Sequence, residues 1–122
     1  MQDFTKLRVW QHAHRFRIDI HTLVRAFPPE ERYALASQLR RAAASISDNI
    51  AESCGYRGGL DSARFIQISF GSCNETLNHL IVARDLGYLN AEQFTERAAQ
   101  LGPIRGMLYR LLTRMREKEL RA

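Results

Sequence analysis

The chain is poor in the residues that staple, kink or anchor a protein. It has two cysteines, Cys54 and Cys73. Neither belongs to a Cys-x-x-Cys pair or a Cys/His zinc spacing, which argues against a metal staple. Prolines number three: Pro28 and Pro29 are adjacent, and Pro103 stands alone. Long stretches are therefore free of the residue that breaks helices. Lys6 and Lys118 are the only lysines among 18 basic residues; the others are arginines. No apolar run approaches the ~20 residues of a membrane span. Met1-Gln2-Asp3-Phe4 leads into no apolar segment of signal-peptide type, so a cytoplasmic location is expected. No Gly-Lys-Ser/Thr follows the glycines at 55–59, which excludes a P-loop. No nucleophile elbow surrounds Ser45, Ser47, Ser62, Ser69 or Ser72, so no enzymatic activity is expected.

What is present reads as helix. The 122 residues, 45% hydrophobic, are enough for one domain with its own core. Leu7, Trp10, Ala13, Phe16, Ile20, Leu23 and Phe27 recur at steps of three or four and predict a first helix over about 4–26. Asp3 or Thr5 is its candidate cap. Pro28-Pro29 ends it. A second helix is expected over 29–54, opened by Pro29 with Glu30 and Glu31 at the positive end of its dipole. Its stripe is Tyr33, Ala36, Leu39, Ala43, Ile46 and Ile50. The glycines at 55, 58 and 59 make the next loop. A third helix, over 61–86, has Asp61 as candidate N-cap and a mixed stripe of Phe65, Ile68, Ser72, Leu77, Leu80 and Ile81. Gly87 suits its C-cap. Asn90-Ala91-Glu92-Gln93 resembles a capping box and starts a fourth helix over 91–117, with a kink or break expected at Gly102-Pro103. Short connections force antiparallel neighbours. The expected fold is all-α: an antiparallel up-down-up-down four-helix bundle, one domain over 1–122.

Folding the second and third helices back on each other produces a register. When Arg41 stands opposite Glu75, Ser45 faces Gly71 and Glu52 faces Arg64. Two opposite-charge pairs then flank a zone of small residues, Ala42, Ala43, Ala44 and Ser45 against Gly71, Ser72 and Cys73. Small side chains let helix axes approach closely. The pairs Arg41–Glu75 and Glu52–Arg64, with Asn49 nearby, are expected to set this register, paired because buried charges persist mainly in pairs. The same four charges also have a functional reading as a polar ligand site. Cys54 and Cys73 miss the register by roughly 16 Å along the axis, so two free thiols are expected.

The net charge is +5. Such a balance suits a polyanionic or acidic partner. Candidate nucleic-acid contacts are Arg8 and Arg15 on the first helix and Arg105, Arg110, Arg114, Arg116 and Lys118 on the fourth. Antiparallel packing of these two helices would merge them into one patch. Its alternatives are a solvated face with cations near a helix C-terminus, or a phosphate-binding surface. Tyr56 beside Arg57 is the candidate exposed aromatic, while Trp10 and Tyr33 are expected to be buried between helices or subunits. A di-iron bundle needs Glu-x-x-His on two helices. Glu75 and His79 are four apart and have no second copy, so neither metal nor cofactor is expected.

Several segments together resemble one family. Phe27-Pro28-Pro29-Glu30-Glu31-Arg32-Tyr33, Gln38-Leu39-Arg40-Arg41-Ala42-Ala43, Ser45-Ile46 and Asn49-Ile50-Ala51-Glu52 are similar to the 23S rRNA intervening sequence proteins. So are Val9-Trp10-Gln11, Arg64-Phe65, Gly71-Ser72, Glu75 and Leu86-Gly87-Tyr88-Leu89. The resemblance spans roughly residues 4–112. Ser47 stands where proline is common in the family, and Ser53 where glycine is common, which implies a straighter second helix here. The resemblance implies a four-helix bundle that assembles as a ring, typically a homopentamer, with no established enzymatic activity. Related proteins are encoded in insertions within bacterial 23S rRNA genes. Others resemble the accessory protein of diversity-generating retroelements, which works with a reverse transcriptase and nucleic acid.

The leading expectation is a non-enzymatic, basic homo-oligomer that binds RNA, DNA or a ribonucleoprotein. The alternative is an interaction scaffold for an acidic protein. An enzyme using Glu52, Arg64 and Glu75 is the weakest of the three. Leu35, Ile66 and Phe70 fall outside the helix stripes and are the expected subunit interface.

Overall fold

The computed structural model describes residues 2–56 and 58–121. Among them are four α-helices and no strand: α1 (Arg8–Val24), α2 (Leu35–Ser53), α3 (Gly59–Asp85) and α4 (Ala91–Arg121). Short 3-10 turns at Phe4–Lys6 and Pro29–Glu31 precede α1 and α2.

The helix ends follow from local chemistry, with some departures from expectation. Asp3 caps the first 3-10 turn, its carboxylate accepting the Thr5 N–H at 3.0 Å, so α1 proper starts only at Arg8. Pro29 likewise opens a 3-10 turn rather than α2. The N–H groups of Glu31 and Arg32 bond the carbonyls of Pro28 and Pro29, and Ala34 then leaves helical geometry (φ −117°, ψ −109°) before α2 begins. Gly58 and Gly59, at φ of 100° and 78°, turn the chain into α3 ahead of Asp61, which lies in the first turn rather than at the cap. At the other end Gly87 (φ 81°) lets the Tyr88 N–H return to the Ala83 carbonyl at 2.9 Å, satisfying the helix terminus. The capping box before α4 forms reciprocally. Gln93 N–H bonds Asn90 Oδ1 at 2.8 Å and Asn90 N–H bonds Gln93 Oε1 at 2.9 Å. α4 runs unbroken through Pro103 and through its charged tail to Arg121. Leu101 and Ile104, both buried, hold the helix on either side of the proline.

Each of α2 and α3 packs on its sequence neighbours, and α1 packs on α4. Phe16, Ile20, Leu39, Ile46, Ile50, Ile66, Leu80, Leu101, Ile104 and Leu108 are the large side chains at the centre. The buried face of α3 differs from its expected stripe. It consists of Ser62, Ile66, Ser69, Ser72, Cys73, Thr76, Leu80 and Ala83, whereas Ile68 is 43% exposed. Ile66 and Leu35 are therefore core residues, and Phe70 packs half-buried against the core, so these three do not form an outer interface. Tyr33 is not buried between helices: within the chain it is 89% exposed. Trp10 is half-buried, with Phe4 at 5.2 Å and His14 stacked on it at 4.7 Å.

The α2–α3 register is the expected one, but charges do not hold it. Arg41, Glu75, Glu52 and Arg64 are all exposed, and neither expected pair is an ion pair. At the surface a closed pair gains little over two hydrated ions. Glu75 instead meets His79 of its own helix at 3.3 Å. Hydroxyl groups bridge the two helices. Ser45 and Ser72 meet at 2.8 Å, Ser69 donates to the Ile46 carbonyl at 2.8 Å, and Ser62 donates to the Ser53 carbonyl at 3.1 Å. As numbers rise along α2 they fall along α3, so this pair is antiparallel. Asn49 stays within α2, donating to the carbonyl and hydroxyl of Ser45 at 2.8 and 2.9 Å. Both cysteines are free and buried. Burial pushes the Cys73 thiol up to about 12, against the opposing pull of Arg105.

Candidate nucleic-acid interface

The expected basic patch on α1 and α4 divides in two. Successive residues of a helix turn by 100°, so cations at different steps of α4 face different neighbours. Arg15 shares a groove with Gln100 and Pro103 on the α1 side, and Lys118 lies near Leu7. Arg8, Arg110 and Arg114 are exposed. Arg105 and Arg116 face α3 instead. Arg116 donates to Gln67 at 3.2 Å. The Arg105 guanidinium lies 5.2 Å from the centre of the Phe70 ring, and its Nε is buried without a hydrogen-bond partner. Arg105 thus covers an aromatic ring and is only partly available as a surface cation.

The α1–α4 seam carries its own polar link. Asp19 accepts from Gln100 at 2.9 Å and pairs with Arg97 at 3.4 Å. On the α1–α2 side Arg17 pairs with Asp48 at 2.8 Å. Of the 18 lysines and arginines, Arg57 lies outside the described residues, and among the rest only Arg17, Arg84 and Arg97 pair with a carboxylate. Among the other described cations, Arg40 and Arg116 donate to neutral oxygens, and Arg64 and Arg105 lie over aromatic rings.

A basic zone that the helix periodicities did not reveal lies where α1 passes into α2. An open groove of about 540 Å³ runs beside the Pro28-Pro29 turn. Its apolar lining comes from Val24, Phe27, Pro28, Pro29 and Ala36, and its polar lining from His21, Arg25, Arg32, Tyr33 and Arg40. Arg40 donates to the Arg32 carbonyl at 3.2 Å, tying α2 to the turn. Burial, and then the charges of Arg40, Arg17 and Arg25, hold the His21 pKa below its ordinary value. Arg32 and Arg40 belong to sequence segments that carry the family resemblance. Their convergence with Arg25 depends on the angle at which the turn returns the chain, which no periodicity encodes.

The remaining candidates are more modest. Gln38, Arg41, Ser45, Glu75 and His79 line a shallow polar groove over α2 and α3. It contains the four-apart Glu75 and His79 but no nucleophile–base pair. Tyr56 is 42% exposed and stacks on Phe65 at 5.4 Å. Arg57 beside it falls outside the described residues. Among the described residues no three His, Cys, Asp or Glu side chains gather as a metal site. Nor is any helix among them long and apolar enough to cross a membrane.

The fold has a counterpart among solved structures. A protein of unknown function from the S23 ribosomal protein family of Bacteroides thetaiotaomicron superposes with a TM-score of 0.80 at 22% identity, over 86% of this chain and 95% of that one. That likeness is one of fold. No curated protein matches the sequence. The model of the 23S rRNA-intervening sequence proteins matches residues 5–110, from the turn before α1 to the second half of α4, and the chain belongs to that family.

Proposed function

We propose that this chain is a non-enzymatic nucleic-acid-binding protein acting on RNA, DNA or a ribonucleoprotein through its arginine-rich exterior. One observation carries the reading: among the described residues most cations have no carboxylate partner. A surface whose own acids do not neutralise it attracts phosphate backbones and releases their counterions. Such binding is steep in salt and weak in sequence preference. The test is fluorescence anisotropy with a structured RNA and a DNA duplex between about 50 and 500 mM salt, where log affinity is expected to fall linearly with log salt. No binding to either at low salt would remove the reading. If one protein is captured from lysate and survives nuclease treatment, the acidic-partner scaffold replaces it.

The working architecture is an up-down-up-down bundle in the cytoplasm, assembled as a homopentameric ring and partnered by RNA, DNA or a reverse-transcriptase-type protein. Leu60, Ile68, Val82 and Leu86 of the α3 region are exposed apolar side chains that a second copy would cover. Light scattering after size exclusion reads the copy number, and a monomer at working concentrations would end the ring.

A further inference from the structure

We propose that the groove between the end of α1 and the start of α2 seats a single-stranded nucleic-acid segment, its phosphates on Arg25, Arg32 and Arg40 and a base stacked on Tyr33. This rests on the nucleic-acid reading above and names the site and the strand form it takes.

Three features of the groove point the same way. First, its chemistry is layered. Of the lining residues, Val24, Phe27 and Ala36 are buried, Arg40 is half-buried, and Arg25, Arg32 and Tyr33 are exposed. Proteins that hold single strands combine a cationic track for the backbone with an aromatic face for bases. Second, Tyr33 is 89% exposed, although Leu35 and Ala36 just after it are buried. Its ring has almost no intramolecular packing, so the fold leaves its face free for a partner. Third, α2 begins at the groove without help. No side chain caps its N-terminus and its first turn holds no acidic residue. The positive end of the helix dipole therefore adds to the three arginines.

The carboxylates nearest in sequence, Glu30 and Glu31, form no ion pair with these arginines. Glu30 and Glu31 are absent from the groove lining, and their charges reach Tyr88, whose pKa burial and then these two acids raise. None of Arg25, Arg32 and Arg40 forms an ion pair. A paired duplex hides its base faces in the stack, so it can use the arginines but not Tyr33. That difference separates a single-strand seat from a general phosphate patch.

His21 supplies an internal reporter. Arg40, Arg17 and Arg25 face it, and its lowered pKa leaves it neutral near pH 7. Burial, the larger cause of the lowering, would remain, but phosphates on Arg25 and Arg40 would offset their part of the repulsion and draw the pKa upward. Binding would then take up a proton, and affinity would rise as pH falls through the window between the free and bound pKa values.

The experiment uses labelled dT12, the matching 12-base-pair duplex and poly-glutamate as probes, with the full-length protein at about 50 mM salt and, for salt slopes, up to about 300 mM. Tyr33→Ala should weaken dT12 binding roughly five- to hundredfold and leave the duplex unchanged. Arg25→Gln combined with Arg32→Gln should lower the salt slope for dT12 by about 1.4. Arg110→Gln with Arg114→Gln on α4 should leave the dT12 contribution of Tyr33 intact. Thermal melts confirm that each variant folds, and the His21 ring resonances followed by NMR should titrate at higher pH with dT12 present. If the wild type binds none of the nucleic acids, the function itself fails. If it binds them but the Tyr33 and arginine variants behave as wild type and His21 does not move, the groove is overturned while the function stands. Equal Tyr33-dependent binding of poly-glutamate would also overturn the nucleic-acid occupant.

Discussion

The two long seams of the molecule differ in how many small and hydroxyl side chains they bury. Around α1 the contact surface is made of large side chains: Phe16 and Ile20 are fully buried, with Ala13 and Val24 on the same face. On α2 and α3 small and polar side chains, Ala42, Ala43, Ser69, Ser72, Cys73 and Thr76, are buried alongside Ile46, Ile50 and Ile66. Apolar side chains gain free energy wherever they leave water, so an aliphatic seam is strong but permits neighbouring registers. A buried hydroxyl needs a partner at hydrogen-bond distance, so the serine seam is weaker per residue and far more selective. A shift of one residue moves α3 about 1.5 Å and turns it 100°, which would take Ser69 away from the Ile46 carbonyl. The hydroxyl bonds thus favour one register, while the apolar side chains buried on all four helices supply most of the stability.

Substitutions on the two seams should separate these roles. Phe16→Ala should have the largest effect, a loss of about 3–5 kcal/mol in urea denaturation, because it opens a cavity at a fully buried site. If the loss is below 1 kcal/mol, α1 is not the seam that stabilises the fold. Ser69→Ala should cost about 1 kcal/mol for the lost bond to Ile46. Hydrogen exchange in that variant should quicken along both α2 and α3; protection changing in α1 alone would contradict the hydroxyl register. Arg41→Met should shift stability by no more than about 0.5 kcal/mol, since its side chain is exposed and unpaired. A loss of several kcal/mol would restore the charge pairs as the register device.

Much of this was legible in advance, for identifiable reasons. The Asn90–Gln93 capping box, the Gly87 terminus and the pairing of Ser45 with the Gly71–Ser72 region rest on local geometry or residue size, which sequence displays directly. The α3 face was misread because Phe65 and Ile68 are more hydrophobic than Ser62 and Ser69, and periodicity weighs hydrophobicity. Hydroxyls can be buried as readily as those apolar groups once they find carbonyls across the seam, and sequence does not show which will. Similarly, opposite charges at matching positions looked like a pair, yet at an exposed rim water competes with both partners. Of the candidate nucleic-acid residues, Arg15 shares a groove with Gln100 and Pro103 of α4, Lys118 lines a pocket with Leu7 and the Gly58–Gly59 turn, and Arg105 is turned onto Phe70.

By itself the sequence determined an all-helical chain, the ends of most of its helices, the alignment of α2 against α3 and the family to which they belong. These depend on caps, turns and side-chain volumes within a few residues of one another. Only the tertiary structure decided that serines rather than ion pairs hold that alignment. It alone also placed Arg25, Arg32, Arg40 and Tyr33 around one groove. Both outcomes depend on which side chains lose water when separate helices meet, and on the angle of the Pro28-Pro29 turn that brings them together.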